Sequence, residues 1–258
     1  MNSTATHVLE ALTAVAGWVS STGMVKRTGV SRMAISKQVG RLREMGYGIE
    51  ACPRLGYRLT GRTDQPVAAE VIPRLSTRVL GRPYLYLAET GSTNTYLRKR
   101  MGEFAEGAAV AADSQTAGRG RLQRAWHSPP GVNLHLSVLL KPAVPPMMAP
   151  QLSLVAAAAL LQALHARGLY RASVKWPNDI VCRGKKIAGV LCEMEAETDL
   201  IHAVIIGIGM NVNLQVFPRD LRKTATSAHI ELKDPVPRPA MAAEILNRLD
   251  ALYALWTR

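Results

Sequence analysis

Glycine and arginine alternate in one short segment of the chain, residues 115–121, which has the sequence QTAGRGR. Glycines let a loop bend closely around a ligand and present backbone N–H groups, and guanidinium groups add charge and paired hydrogen bonds. Arg124 and Trp126 follow, and the tryptophan offers an aromatic face for a purine or another fused ring. The segment predicts a phosphate clamp. Taken alone, it would equally suit a mobile surface loop beside a core tryptophan.

Four further motifs combine polar or charged groups with glycine or proline. Residues 91–94, GSTN, place hydroxyl and amide groups where they either cap a helix or bind a small polar ring system. Residues 174–179, VKWPND, end a predicted strand with a charge, an aromatic ring and a rigid turn. Residues 185–189, KKIAG, bring lysine beside a glycine, and residues 207–213, GIGMNVN, add two amides. None of these segments has the spacing of a Rossmann fingerprint or a P-loop.

Short β-rich runs separated by helices must position these motifs. They predict an α+β domain on a mixed or antiparallel sheet, because the alternation is too irregular for a doubly wound parallel sheet. The predicted strands are residues 84–88, 108–112, 133–140, 172–176, 187–194 and 203–212, and the predicted helices are 93–101, 151–166 and 241–256.

The first sixty residues predict a winged helix-turn-helix. Apolar residues recur at helical spacing from Val8 to Val15, Ser21-Thr22 is predicted to cap a short second helix, and Ser31 a third. Two alternating segments, 49–53 and 57–59, then form a hairpin wing. Since the N-terminal half of the third helix enters the major groove in such modules, the predicted DNA contacts are Arg32, Ser36, Lys37 and Arg41. A packing or protein-binding module with a basic face is the alternative.

The charge of the chain limits the kinds of partner that it is expected to bind. The net charge is +13, and residues 1–64 hold nine of the Lys and Arg against four Asp and Glu, so much of the positive excess lies in the remainder of the chain. The second part is therefore expected to handle negative charge of its own, which favours phosphate. We predict a DNA-binding domain at 1–64, a linker at 65–80 and a catalytic domain at 81–258.

The three cysteines lie far apart and outside metal-ligand spacing, which indicates neither a zinc site nor a disulfide framework. No signal-peptide pattern opens the chain, and the longest apolar run, Leu152 to Leu164, is too short to span a bilayer. A soluble protein of the reducing cytoplasm, with no membrane partner, is predicted.

The five motifs in order, GSTN, QTAGRGR, KWPND, KKIAG and GIGMNVN, resemble those of the biotin protein ligase family. The similarity is strongest to its bifunctional class, which also represses biotin synthesis genes, and it extends to about Trp256. The resemblance implies a winged helix-turn-helix followed by a class II synthetase-like biotin/lipoate ligase domain. It also implies a small C-terminal SH3-like barrel, which we expect to be absent because this chain stops at Arg258.

The resemblance implies roles for the motif residues. Lys186 would lie between the biotin carboxylate and the α-phosphate of ATP, and would act with Arg121 in catalysis. Lys175 and Asp179 would support the magnesium and phosphate charges, with no metal site built from protein ligands alone. Biotin would be bound by Ser92, Thr93, Asn94, Gln115, Gly118, Arg119, Arg121, Lys186 and Gly189, and ATP by Arg121, Arg124, Trp126, Lys175, Asn178 and Asn211.

The implied activity has two steps. Biotin and Mg-ATP give biotinyl-5′-AMP, and biotin then passes to a lysine of the biotin carboxyl carrier domain of acetyl-CoA carboxylase or a related carboxylase. The implied second role is biotin-responsive repression at operator DNA, with a ligand-induced homodimer. The alternatives are a non-catalytic transcription factor that senses biotin and a lipoate-protein ligase of related fold. Histidines and cysteines are assigned ordinary surface or packing roles.

Overall fold

A computed structural model describes residues 3–258, and this part of the chain divides into two compact units between Gln65 and Pro66. Residues 65–80, the predicted linker, contain the short helix α4 (Ala68–Val71) and group with the second unit from Pro66 onward. The segment is held there by Asp250, whose carboxylate accepts hydrogen bonds from the backbone N–H groups of residues 78–80.

The first unit has three helices and a hairpin, as predicted. They are α1 (Ser3–Thr13), α2 (Ser21–Thr28), α3 (Arg32–Glu44), β1 (Gly48–Cys52) and β2 (Gly56–Gly61), with β1 and β2 antiparallel. The hydroxyl of Ser31 caps α3 by accepting from the Ala34 N–H at 3.2 Å, as the sequence indicated. The prediction that Ser21-Thr22 caps α2 was wrong by one residue, since Ser20 accepts from Gly23 N–H there.

Apolar residues on one face of α3 form the centre of this unit. Ile35, Val39 and Leu42 are buried at a spacing of three or four residues, so one stripe of the helix faces inward. The opposite stripe is left exposed. The wing is anchored by paired backbone hydrogen bonds between Val19 and Tyr57, and the Arg58 guanidinium lies 4.9 Å from the centre of the Trp18 ring.

The second unit is built on a seven-stranded sheet of order β3-β4-β5-β9-β8-β7-β6. Strands β3 and β4 are parallel and every other neighbouring pair is antiparallel, so the predicted mixed sheet is confirmed. The strands are β3 (Tyr84–Thr90), β4 (Ala109–Gln115), β5 (Leu134–Leu140), β6 (Ala172–Lys175), β7 (Asp179–Cys182), β8 (Lys185–Ala196) and β9 (Ile201–Met210).

Helices α5 (Thr93–Arg98), α6 (Leu152–Ala166), α7 (Ala228–Leu232) and α8 (Arg238–Trp256) complete the unit. Helices α6 and α8 share the main apolar core with alternate residues of the central strands, for example Leu134, Leu136 and Val138 of β5. The residues between them, such as His135 and Ser137, therefore face the other side of the sheet. That second face of the sheet carries α5, whose residues Thr93 and Asn94 contact Ser137.

Residues Pro146–Ala166 are long and apolar enough to cross a membrane by length and composition. In this fold the stretch includes α6, whose buried residues, among them Ala156, Leu160 and Leu164, belong to the core shared with α8. The apolar character of this helix is therefore accounted for by core packing.

Candidate active site

A cavity of about 650 Å³ on the second unit brings most of the predicted site residues together. Its walls come from the start of α5, from strands β8 and β9, from the β6–β7 turn and from the segment before α7. The remaining wall is residues 115–126, called here the glycine-arginine loop. Gly118 is not among its lining residues but packs inside the loop. The predicted residues that line the cavity are Ser92, Thr93, Asn94, Gln115, Arg119, Arg121, Arg124, Trp126, Lys175, Asn178, Asp179, Lys186, Gly189 and Asn211.

One end of the cavity is a network of uncharged hydrogen-bonding groups. The backbone N–H and the hydroxyl of Thr93 donate to Gln115 Oε1 at 2.9 and 3.2 Å. Ser137 Oγ lies 2.7 Å from Thr93 Oγ1 and 2.6 Å from Asn94 Oδ1, although strand β5 is far away in sequence. Because these groups fix one another, the donors and acceptors at this end are held in set directions before any ligand arrives.

Glu193 ties this end to the glycine-arginine loop. Its carboxylate accepts from Asn94 Nδ2 at 2.8 Å and from Arg119 Nη2 at 2.7 Å. The Arg119–Glu193 ion pair is only about one quarter exposed, which favours a defined geometry. Arg119 thus serves as a tether that holds the loop over the polar network.

Three glycines on this face of the sheet let larger side chains lie against it. A Cβ on Gly207 would fall 2.2 Å from Asn94 Oδ1, and one on Gly209 would fall 2.6 Å from the indole of Trp126. On β8, a Cβ on Gly189 would meet the end of Lys186 at 3.0 Å. Because Gly189 pairs with Gly209 across the strands, these three glycines form one continuous floor.

Lys186 lines the cavity and is fixed at both its backbone and its ammonium group. Its Nζ is 2.7 Å from Asp179 Oδ1 and 5.3 Å from the centre of the Trp126 ring. Its N–H donates to Thr224 O, and its carbonyl accepts from Thr226 N–H. The segment from 224 to 226 thus holds the lysine strand from one side, while β7 holds it from the other.

The glycine-arginine loop closes on itself rather than extending into solvent. Gly120 N–H donates to Arg124 O and Trp126 N–H to Gly118 O, so the loop forms a small hairpin. Between them Leu122 and Gln123 adopt the left-handed conformation, which costs energy for side chains other than glycine. Arg121 and Arg124 are exposed on this hairpin at the cavity rim.

Two further amides, Asn178 and Asn211, line the cavity, and both also support the backbone. Asn178 donates to Val190 O at 2.8 Å, leaving its Oδ1 3.4 Å from Arg121 Nη1. Asn211 donates to Thr226 O at 3.1 Å. These residues therefore order the cavity wall, and Lys175, which is exposed on β6, contributes charge at the rim.

Comparison with known proteins matches both units. The model of the biotin/lipoate A/B protein ligase family matches residues 86–211, and a helix-turn-helix domain model matches residues 5–58. The bifunctional ligase/repressor BirA of Bacillus spizizenii is 40% identical over 228 residues, covering 87% of this chain and 70% of that protein. BirA of Escherichia coli is 32% identical over 228 residues, covering 88% of this chain and 70% of its own length. The chain belongs to the biotin protein ligase family.

Solved structures of this family resemble the catalytic unit. The Aquifex aeolicus biotin protein ligase in complex with biotin and ATP has a TM-score of 0.59 and 32% identity, covering 66% of this chain and 70% of that one. The Leishmania major biotin protein ligase in complex with biotinyl-5-AMP has a TM-score of 0.57 and 30% identity, covering 68% of this chain and 76% of that one. The predicted fold class, a winged helix-turn-helix followed by a ligase sheet, is confirmed.

The predicted DNA contacts lie on one solvent-facing side of α3. Arg32, Ser36, Lys37 and Arg41 are all exposed. Arg32 is engaged by Thr22 of α2, to whose hydroxyl its Nη2 donates at 3.1 Å. Arg32 therefore also joins the two helices of the motif, whereas Ser36 and Lys37 point away from the core.

Two residues of the ligase site, Ser137 and Glu193, lie outside the five sequence motifs, and Gly207 opens the GIGMNVN motif but had no predicted role of its own. Ser137 had a signal, because polar residues at alternate positions interrupt the apolar run of β5 and mark one face of the strand. Gly207 had one too, since Gly207 and Gly209 stand two apart and share a face. Glu193 had none, because its partners Asn94 and Arg119 are joined to it only by the fold.

His135 lies on the site face of β5 and is 1% exposed, with no hydrogen-bond partner at either ring nitrogen among the described residues. Burial lowers its pKa to about 4, while nearby Asp113 acts to raise it and Arg238 and His127 to lower it. The unfolded chain therefore binds this proton more tightly than the folded one. We expect the free energy of unfolding to fall as pH drops from about 6.5 to about 4, by on the order of 3 kcal/mol from this residue.

A His135→Phe variant should lose that part of the pH dependence, as measured by urea unfolding at pH 7 and pH 4.5. The exposed strand residue His202 offers the matched control, and His202→Phe should retain the wild-type difference. An unchanged pH difference in His135→Phe would mean that the buried imidazole is not the group responsible.

Proposed function

We propose that this chain is an ATP-dependent biotin protein ligase that forms biotinyl-5′-AMP and transfers biotin to a lysine of a carboxylase carrier domain. One observation carries the proposal. Lys186, held by Asp179 at 2.7 Å, lines a single cavity together with the uncharged network of Thr93 and Gln115 and with the exposed Arg121 and Arg124. Such a cavity suits two ligands that must react with each other.

The uncharged end fits the ureido ring of biotin. A ureido group presents one carbonyl acceptor and two N–H donors, and Ser92, Thr93, Asn94 and Gln115 supply hydroxyl and amide groups of both kinds. We propose that Gly118, Arg119 and Gly189 close around the ligand, because the Arg119–Glu193 ion pair tethers the loop beside this network. The valeryl carboxylate would then extend toward Lys186.

The remaining lining residues fit ATP. Trp126 supplies an aromatic face for adenine, and Asn178 and Asn211 supply amides beside it. Lys175, Arg121 and Arg124 supply the positive charge that a triphosphate requires. The cationic groups lie at the rim, where pyrophosphate can leave.

Catalysis in this proposal is positioning and charge neutralisation. The biotin carboxylate oxygen attacks the α-phosphorus, the new P–O bond forms, and the bond to pyrophosphate breaks. Lys186 neutralises charge on the two anions as they approach, assisted by Arg121, and Asp179 keeps the ammonium group in place. In the second step the amine of the carrier lysine attacks the acyl carbon of the mixed anhydride, AMP leaves, and no covalent enzyme intermediate is needed.

Mg²⁺ would enter with ATP. The described residues contain no cluster of three or more His, Cys, Asp or Glu able to hold a metal ion. Mg²⁺ commonly takes one or two carboxylates together with substrate phosphates and water, and Asp179 is the acidic side chain among the cavity-lining residues. Asp179 is therefore the protein group we propose near the metal, which would neutralise phosphate charge.

Two measurements separate this proposal from its alternatives. Calorimetry should show biotin binding and no comparable binding of lipoate, since the reverse order would indicate a lipoate ligase. Incubation with biotin and α-labelled ATP should yield labelled biotinyl-5′-AMP. A protein that binds operator DNA in response to biotin but makes no adenylate would be a sensing transcription factor.

We propose that the first unit binds operator DNA and makes the protein a biotin-responsive repressor. The exposed Ser36, Lys37 and Arg41 of α3 support this, as does the positive excess of residues 1–64. Cytoplasmic location follows from both roles.

Replacing Lys37 by alanine is expected to reduce the slope of log affinity against log salt concentration by about one, because one phosphate contact is lost. The slope is measured by fluorescence anisotropy with labelled operator DNA at salt concentrations from about 50 to about 200 mM. Lys99→Ala on the ligase unit is the control and should leave the slope unchanged. An unaltered slope in Lys37→Ala would remove that residue from the DNA contact.

We propose that a ligand-induced homodimer forms through strand β8. Within the described residues β7 pairs with β8 only as far as Gly189, and Val190 is still hydrogen-bonded to Asn178, so the outer edge from 191 to 196 has no strand partner. Such an edge can take up a strand from another chain. Sedimentation with and without biotin and ATP tests this, and a monomer under both conditions would contradict it.

A further inference from the structure

Met33 is the apolar side chain that stands out on the DNA-facing side of the first unit. It is 84% exposed, although methionine is usually buried. Within residues 4–65 the other exposed large apolar side chain is Leu55, which lies at the tip of the wing. Both lie on the elements that a winged helix-turn-helix presents to DNA. Contact with DNA would therefore explain why both apolar side chains are exposed.

Helix geometry places Met33 at the centre of the exposed stripe of α3. At about 100° per residue, Ser36 and Lys37 lie on either side of Met33, and the buried Ile35 and Leu42 lie on the opposite side. Arg32, one residue earlier, is drawn toward Thr22 by its hydrogen bond. Met33, rather than Arg32, is thus the long side chain pointing straight outward at the start of this helix.

Gly40 continues the same stripe two turns later. A glycine in a helix interior is destabilising, yet a Cβ added there meets nothing within 4 Å, and its backbone is not in the left-handed region. Neither packing nor conformation therefore requires glycine at this position. The absence of a side chain at Gly40 lets the exposed face of α3 approach the DNA major groove closely.

We infer that Met33 reads thymine in the operator by packing against its C5-methyl group in the major groove. The inference rests on the proposed repressor function and names the base that this side chain recognises. Thymine is the base that presents a methyl group in that groove, and apolar side chains contact it there. The flanking Lys37 and Arg41 favour a polyanion over an apolar protein surface.

The test begins with sites selected in vitro by the full chain in the presence of biotin and ATP. Each thymine is replaced in turn by deoxyuridine, which removes only the methyl group, and affinity is measured by fluorescence anisotropy. One thymine in each half-site should weaken wild-type binding about three- to fivefold when its methyl is removed, as expected for burial of one methyl group. Met33→Ala should weaken binding to the site that contains thymine by a similar factor. Replacing that thymine by deoxyuridine should then cause no further loss of affinity in this variant.

Met147→Ala is the matched control, because Met147 is also 84% exposed but lies in the ligase unit, and it should retain the full thymine dependence. Gly40→Ala should raise the thermal midpoint and weaken DNA binding. The inference is overturned if wild type ignores every thymine methyl, if Met33→Ala keeps the dependence, or if Gly40→Ala binds as wild type does. Absence of any salt-dependent DNA binding would overturn the repressor function as well, which distinguishes the two failures.

Discussion

Replacing Lys186 by alanine is expected to lower the rate of biotinyl-5′-AMP formation about 10³-fold, with a much smaller change in biotin affinity. The ammonium group is fixed by Asp179 at 2.7 Å and lies 5.3 Å from the Trp126 ring centre, so it is placed before the reaction begins. Preorganised charge of this kind acts mainly on the transition state, and loss of one such group typically costs 10² to 10³ in rate. Single-turnover measurement of labelled adenylate separates this rate from binding.

The neighbouring lysine is the control for this prediction. Lys185 is exposed and its ammonium group lies 3.4 Å from Arg222 O, outside the cavity lining. Lys185→Ala removes the same charge from the same strand and should leave adenylation within a factor of about two. Equal losses in the two variants would show that the general positive field, and not the position of Lys186, supports the reaction.

Replacing Gly207 by alanine is expected to weaken biotin binding about 10²-fold or more. The new Cβ would fall 2.2 Å from Asn94 Oδ1, which also contacts Ser137, so Asn94 must leave the network that it shares with Thr93. Each buried hydrogen-bonding group that is left without its partner costs about 1–3 kcal/mol, so the loss of two such groups is enough for a decrease in affinity of this size. Isothermal calorimetry with biotin measures it.

Gly102→Ala is the matched control, because a Cβ there meets nothing within 4 Å and the residue is not in the left-handed region. It should bind biotin as wild type does. Circular dichroism of Gly207→Ala should show a folded sheet, since the clash involves a side chain rather than backbone. Normal biotin affinity in a folded Gly207→Ala would mean that the Asn94 network is not the biotin site.

Local patterns were enough to predict the scaffold. The apolar alternation of β5 and the Ser31 cap of α3 express short-range physics, so the elements that carry them were found from the sequence. Motif order was enough to predict which segments meet at the cavity. The short strand β7, between Asp179 and Cys182, was missed because four residues next to a proline turn carry little periodicity.

What the sequence could not predict were contacts made only by folding. The pairing of Glu193 with Arg119 and the backbone clamp of Thr224 and Thr226 on Lys186 join segments that are distant along the chain. The buried ion pair between Arg238 and Asp113, at 2.7 Å, is another example, because nothing near Arg238 in the sequence marks it as buried. Such contacts depend on sheet topology and not on local composition.

Intact-mass analysis of a carboxylase carrier domain after incubation with this protein tests the central claim most directly. With biotin, ATP and Mg²⁺ together, the carrier should gain one biotinyl group on its acceptor lysine, and omission of ATP or substitution of Lys186→Ala should abolish the gain on the same timescale. A carrier that stays unmodified, under conditions in which the protein binds biotin and operator DNA, would contradict the ligase function.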